Sequence, residues 1–358
     1  MQGYGHVYVW LNGENQLITP FRNPKVGGFD IDSETGAWDT TTNTGVEILS
    51  ISWDDGQEIP INRVNYNKTI KEKMLEIPLT FEILSDGTIG FKSSGYYDSQ
   101  EPLTVEYKLN DGEWTEMTIS DSDPETINVV SGDTVQFRGD NTNYGDFGCR
   151  FFGTSSFNVY GNIMSLIDSV NFLDLKTLQG SEYGYYGTFS GLFTQSNVIS
   201  ANNLQLPATT LAQSCYREMF YSCTSLTTAP ELPATTLANY CYDGMFYGCT
   251  SLTTAPALPA TTLASYCYQS MFAGCTSLTQ APELPATTLV EACYQNMFDD
   301  CTNLNYIKCL ATDISASRCT DGWVNGVAST GTFVKNHDMS SWTTGTSGIP
   351  EGWTVESV

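Results

Sequence analysis

Leu206-Pro207-Ala208-Thr209-Thr210-Leu211 opens the stretch that decides the fold, because the same hexapeptide begins again at 232, 258 and 284, each time 26 residues further on. Met219-Phe220, Met245-Phe246, Met271-Phe272 and Met297-Phe298 keep that spacing. So do two columns of cysteine, at 215, 241, 267, 293 and 319 and at 223, 249, 275 and 301. Self-similarity at a fixed period of roughly 20 to 50 residues marks a repeat architecture, in which each unit packs only on its neighbours.

Within each unit, Ser225-Leu226-Thr227-Thr228-Ala229 alternates like a short strand, a proline marks a corner, and residues 238–246 space their apolar groups like one or two helical turns. The expectation is an α/β leucine-rich-repeat solenoid over 206–329. Leu226, Leu252, Leu278 and Leu304 should lie one on another, and so should Phe220, Phe246, Phe272 and Phe298. Packing alone accounts for these constant positions.

The copies also differ, and the differences point outward. Arg217/Asp243/Gln269/Gln295, Glu218/Gly244/Ser270/Asn296, Gln213/Asn239/Ser265/Glu291 and Tyr221/Tyr247/Ala273/Asp299 vary in charge and size, as side chains facing water do. The candidate recognition surface is Arg217, Asp243, Gln269, Gln295, Tyr221 and Tyr247, with the ladder Thr227, Thr253 and Thr279 on the strand face.

Both ends of the array decay, as a stack with apolar layers requires if its last layer is not to stay exposed. Residues 148–205 are expected to form the opening cap, with a helical candidate at 163–173. Residues 330–358, with Trp342 and Trp353, are expected to form a closing β cap.

The unit Met-Phe-Tyr-Gly-Cys-Thr-Ser-Leu-Thr-Thr-Ala-Pro at 245–256 resembles the BspA-like leucine-rich repeats, whose signature runs Ala-Phe, small residues, Cys, two residues, Leu. Met245 stands where that family usually has Ala, and the unit here is longer. The resemblance covers 190–330. It implies a right-handed solenoid, in proteins that serve as surface adhesins of gut and oral anaerobes or as parts of their phages' virions, and it brings no catalytic residues.

Upstream, a mainly β N-terminal half is expected, of immunoglobulin-like or β-sandwich type. Period-2 runs occur at 79–84, 88–91, 103–109, 114–119 and 134–137, with Asn110-Asp111-Gly112-Glu113 the clearest hairpin turn. These suggest a module over 76–147. A smaller β module, a possible anchor, is expected over 1–75, with hairpins at 7–19 and 48–61 and a helix or linker at 65–75. Asp30, Asp32 and Glu34 are weak calcium candidates: the carboxylates alternate, but the glycine falls one place off the EF-hand position and Thr41 occupies the site of the closing glutamate.

Composition narrows function. The chain has 358 residues with 15 basic and 40 acidic side chains, a formal charge of −25, which repels a phosphate backbone and speaks against nucleic acid. No stretch is long and apolar enough to insert in a membrane, and no export signal precedes the fold. Eleven cysteines, ten of them in the array, read as free buried thiols, a disulfide framework being the alternative. His6 and His337 are the only histidines and stand in no nucleophile or acid–base motif, so no enzyme, cofactor or metal is expected.

The reading is a non-enzymatic adhesion or recognition protein, in first place a phage virion component such as a fibre or a capsid or tail decoration. The alternative setting is a bacterial surface or secreted adhesin. The N-terminal modules would hold other virion or envelope proteins, the repeats a host surface protein or glycan, and the chain could self-associate. Two other classes stay open: a structural spacer, and a carbohydrate-binding module using Tyr96, Tyr97, Tyr183, Tyr185 and Tyr186.

Overall fold

A computed structural model describes residues 8–11, 14–17, 51–52, 58–59, 74–93, 103–119, 123–141, 144–145, 148–180, 186–340 and 342–358. The chain divides into two compact units, Met1–Met74 and Leu75–Val358. In the first, β1 (Tyr8–Leu11) pairs antiparallel with β2 (Glu14–Leu17), Tyr8 opposite Leu17 and Leu11 opposite Glu14. There β3 (Ile51–Ser52) also pairs with β4 (Glu58–Ile59). Asp30, Asp32, Glu34, Tyr96, Tyr97, Tyr183 and Tyr185, and most of the 65–75 segment, lie outside the described residues.

The second unit begins with strands β5 (Leu79–Ile83), β6 (Gly87–Lys92), β7 (Thr104–Leu109), β8 (Thr115–Thr118), β9 (Thr126–Val129), β10 (Thr134–Gly139), β11 (Arg150–Gly153), β12 (Phe157–Asn162) and β13 (Val198–Gln205). They form a six-stranded sheet in the order β13-β12-β5-β10-β7-β8 and a three-stranded sheet in the order β11-β6-β9. The Asn110 turn joins β7 to β8 with Thr104 opposite Thr118, while β5 and its sequence neighbour β6 part into different sheets. Period-2 burial explains the layering: along β10, Val135, Phe137 and Gly139 point inward and alternate with half-buried residues. Phe81 and Phe137 of one sheet meet Phe151 of the other at ring-centroid distances of 4.7 and 4.8 Å.

Residues 206–329 correct the expectation of an α/β leucine-rich-repeat solenoid. Regular structure in the described residues is almost all β, and the helical turns expected at 238–246 do not form. Consecutive residues instead take turn conformations, with every fourth residue left-handed: Ser214, Glu218 and Ser222 in one unit, Tyr240, Gly244 and Gly248 in the next, then Tyr266, Ser270 and Gly274, Ala292, Asn296 and Asp300, and Arg318, Gly322 and Gly326. The N–H groups of Arg217, Met219, Tyr221 and Cys223 donate to carbonyls three residues back, at 2.9–3.3 Å. Those of the residues between, Tyr216, Glu218, Phe220 and Ser222, donate to Cys241, Asp243, Met245 and Tyr247 of the following unit at 2.7–3.0 Å.

An α-helix would use every N–H inside its own unit. Here half of them tie one unit to the next. Apolar side chains four apart suit either geometry, which is why spacing alone pointed to a helix. The strand expected at 225–229 is likewise reduced to single parallel bridges, Ser200 to Thr228 and Thr228 to Thr254. The helical candidate at 163–173 becomes two 3-10 turns, Ile163–Leu166 and Phe172–Asp174.

Two files of aromatic rings bind the sheets and the repeats into one core. One runs from Phe151 through Phe193, Phe220, Phe246 and Phe272 to Phe298, with steps of 5.1–5.9 Å. The other runs from Tyr144 through Phe189, Tyr216, Tyr242 and Tyr268 to Tyr294, with steps of 5.8–6.2 Å. Both end on Trp323, which stacks on Trp342 at 5.5 Å and donates its indole N–H to the Gly348 carbonyl. Beyond them β14 (Tyr306–Cys309), β15 (Thr332–Lys335) and β16 (Thr354–Ser357) close the fold as a parallel three-stranded sheet.

Candidate recognition surface

The constant Phe, Met and Cys residues lie inside, while the constant Thr-Thr pair, such as Thr209-Thr210, is exposed. Leu226, Leu252, Leu278 and Leu304 are fully buried, and all eleven cysteines are buried and unbridged. Four thiols have a definite role, since Cys223, Cys249, Cys275 and Cys301 donate to the carbonyls of Phe193, Phe220, Phe246 and Phe272 at 2.9–3.1 Å. Each of those carbonyls also accepts an N–H from three residues further along its own unit, so the thiol takes the second lone pair. Burial pushes the Cys241 thiol up to about 12 and Cys249 well above the ordinary thiol range, which keeps the array protonated.

The variable positions are less uniform than their sequence pattern suggests. Arg217, Gln269 and Gln295 are half-buried, with the Gln295 Oε1 enclosed and without a hydrogen-bond partner among the described residues. Asp243, expected to face water, is 9 % exposed. It lies 3.0 Å from the Arg217 guanidinium, which also pairs with Glu218 at 3.1 Å. Burial outweighs that pairing and raises the Asp243 carboxyl to about 6.

Thr227, Thr253 and Thr279 are exposed, as a ladder on the outside requires, but the Thr227 hydroxyl is already committed to the Ile199 carbonyl at 2.9 Å. Tyr221 and Tyr247 stack at 4.8 Å, and Tyr247 remains 39 % exposed. Tyr186 is 44 % exposed, with the Arg217 guanidinium over its ring at 5.4 Å.

A second column was not singled out by sequence: Ser214, Tyr240, Tyr266, Ala292 and Arg318, the first left-handed residue of each unit, of which Ser214 and Ala292 are buried. Tyr240 and Tyr266 stack at 4.5 Å and 11°. The Tyr266 hydroxyl donates to Glu291 at 2.9 Å, while Arg318 donates to the same carboxylate at 3.1 Å and to the Tyr266 hydroxyl oxygen, its guanidinium over the tyrosine ring at 5.4 Å. The hydrogen bond from the Tyr266 hydroxyl to the Glu291 carboxylate raises the phenol above its usual range and holds Glu291 below the usual carboxylate range. The signal available in the sequence was variation at a fixed offset: this position reads Ser, Tyr, Tyr, Ala, Arg down the copies.

Among the described residues no group of three His, Cys, Asp or Glu side chains is placed to hold a metal ion, and no helix is long and apolar enough to cross a membrane. Comparison of the chain with protein-family models, with curated proteins and with solved structures gave no significant match.

Proposed function

We propose that the chain is a non-enzymatic recognition protein that displays its repeat array on an exterior surface, as a virion component contacting the host surface, with the N-terminal unit held by other virion proteins. The observation that carries this reading is the separation of duties in the array. Units are joined by backbone bonds and by buried Phe, Met and Cys side chains that return in each copy, while most of the positions that vary reach the surface. That arrangement suits a surface selected for what it touches.

Eleven free buried thiols support the virion setting over an exported adhesin. A chain that folds in a reducing compartment and leaves it on an assembled particle never meets the oxidising conditions that would bridge neighbouring cysteines. The resemblance of the Met-Phe…Cys…Leu unit to repeats of virion and surface proteins supports the same class.

Immunogold labelling with an antibody to the array, applied to host cells and to phage particles from the source culture, tests the setting. Label on particles is the expected result. Label on uninfected cell envelopes, with none on particles, replaces the virion by a bacterial adhesin.

A further inference from the structure

Copies that diverge elsewhere on the surface keep one exposed feature. Thr209-Thr210 returns at 235–236, 261–262 and 287–288, and all eight side chains are exposed. Residues to either side have changed: Glu231 gives way to Ala257 and then Glu283, and Asn239 to Ser265 and then Glu291. Core packing does not hold the pair constant, because it faces outward.

Nor does the joint between units require it. There the backbone makes the bonds, with the Leu211 N–H donating to the Thr236 carbonyl at 3.0 Å and the Thr236 N–H to the Thr209 carbonyl at 3.4 Å. Among the described residues the hydroxyls of the four pairs have no protein partner. Thr250 and Thr276, which also recur, commit theirs to the carbonyls of Thr224 and Thr250 at 3.3 and 3.5 Å.

The column extends beyond the repeats. Exposed Thr177, in the segment before the array, forms a parallel bridge to Thr210, which bridges in turn to Thr236. Around it the chain reads Leu173-Asp174-Leu175-Lys176-Thr177-Leu178, so a segment that lacks the proline, the alanine and the first threonine of the hexapeptide keeps the second threonine. With Thr262 and Thr288 in the equivalent places the column is five threonines long, and Asp313, bridged to Thr288, ends it. A second column, beginning at Thr209, runs beside it.

Outward side chains held constant along a stack, between neighbours that vary, fit a ligand that itself repeats along the stack. We infer that the double threonine column binds an extended, neutral polysaccharide laid along the array, one sugar to each unit. Each hydroxyl both donates and accepts, as a sugar hydroxyl does, and the methyl beside it meets the C–H groups of the ring. Units joined by parallel bridges step by about 5 Å, and a pyranose linked through opposite corners of its ring advances by close to that distance. An extended peptide advances about 3.3 Å per residue and a nucleic-acid strand about 3.4 Å per nucleotide, so neither keeps register with the units. The pairs are uncharged, and the formal charge of −25 on the chain repels an anionic polymer.

The assignment rests on the recognition reading above and deepens it by naming a ligand class. The full chain is run by native electrophoresis through gels holding a β-glucan, a mannan, a xylan or, as the anionic polymer, alginate, beside Thr210→Val, Thr236→Val and the double variant. Valine keeps the β-branch and the backbone bonds and removes only the hydroxyl. Retardation by a neutral polysaccharide is expected, weakened about threefold to tenfold by each substitution and further by both, with unchanged melting temperature. With the unaltered protein, five-sugar fragments of that polymer should compete about tenfold or more better than two-sugar fragments, because each added sugar reaches another unit. Retardation by alginate alone, by no polymer, or equally in all variants overturns the assignment, and so does equal competition by short and long fragments. Host-cell binding that is unchanged in the double variant also overturns it, while leaving the recognition reading intact. Absence of any cell binding by the unaltered protein overturns both.

Discussion

The sheet module and the repeat array share a core but are held together in different ways. In the sheets, Phe81 meets Phe137, Phe151 and Phe157, each from a different strand and each at its own angle, so every contact is particular to its place. In the array, Phe246 meets Phe220 and Phe272 at nearly the same distance and tilt, 5.6 and 5.7 Å and 8° in both cases. The backbone differs as well: paired ladders in the sheets, an alternation of local turn bonds and unit-to-unit bonds in the array. Repetition lets one local solution be reused, so the outer surface is released from any part in specifying the fold.

The largest test of that contrast is a hole in a rung. Phe246→Ala should destabilise the chain by about 3–5 kcal/mol in urea unfolding, because the rings above and below cannot collapse into the gap. A loss under about 1 kcal/mol would mean that the aromatic file is not the joint.

A smaller effect comes from Asp243, where an outward position turned inward. Its carboxyl titrates at about 6 when folded against an ordinary 3.8, so the folded state prefers the protonated form. The stability this contributes is present below about pH 4 and lost as pH rises through about 6. Asp243→Asn should remove that slope and gain about 1–3 kcal/mol at pH 7. Parallel pH profiles for the two proteins would show Asp243 to be solvated after all.

Gly274→Ala separates the observed turns from the helix that spacing suggested. An added Cβ at Gly274 would meet only ordinary contacts, with Gly248 Cα at 3.5 Å, so its φ of +73° decides the outcome. The turn geometry calls for a loss of about 1–2 kcal/mol. A helix would instead gain about 1 kcal/mol from the same change. Thermal melts distinguish the signs. Least of all, Gln269→Ala, at a half-buried position that varies between units, should shift stability by no more than about 0.5 kcal/mol. A larger loss would give the outer columns a structural part.

Much of the array was legible. The 26-residue period, the stacking of Phe220 with its copies, and the burial of Leu226, its copies and the cysteines all follow from identical residues returning at one interval. The type of backbone was not legible, because Cys215, Met219 and Cys223, four apart, sit on one side of a helix and of a four-residue turn cycle alike. The informative residues were Gly244, Gly248, Gly274 and Asn296, whose left-handed tolerance recurs every fourth place in the units. The column of Tyr240 and Tyr266 was hidden for a related reason. Tyr240 and Tyr266 look like ordinary aromatic residues until their φ angles are known, and Arg318 lies 52 residues from the phenol it holds.

What this chain's sequence determined by itself was which residues must be equivalent, since equal side chains at equal intervals can share a core only by stacking in register. It also set the alternation that places Val135 and Phe137 inside their sheet. Tertiary structure alone decided which N–H groups bond within a unit and which cross to the next. It likewise decided which sheet each strand joins and that Asp243 is buried. Those choices depend on the neighbouring unit's carbonyls and surfaces, partners whose positions exist only once the chain has packed.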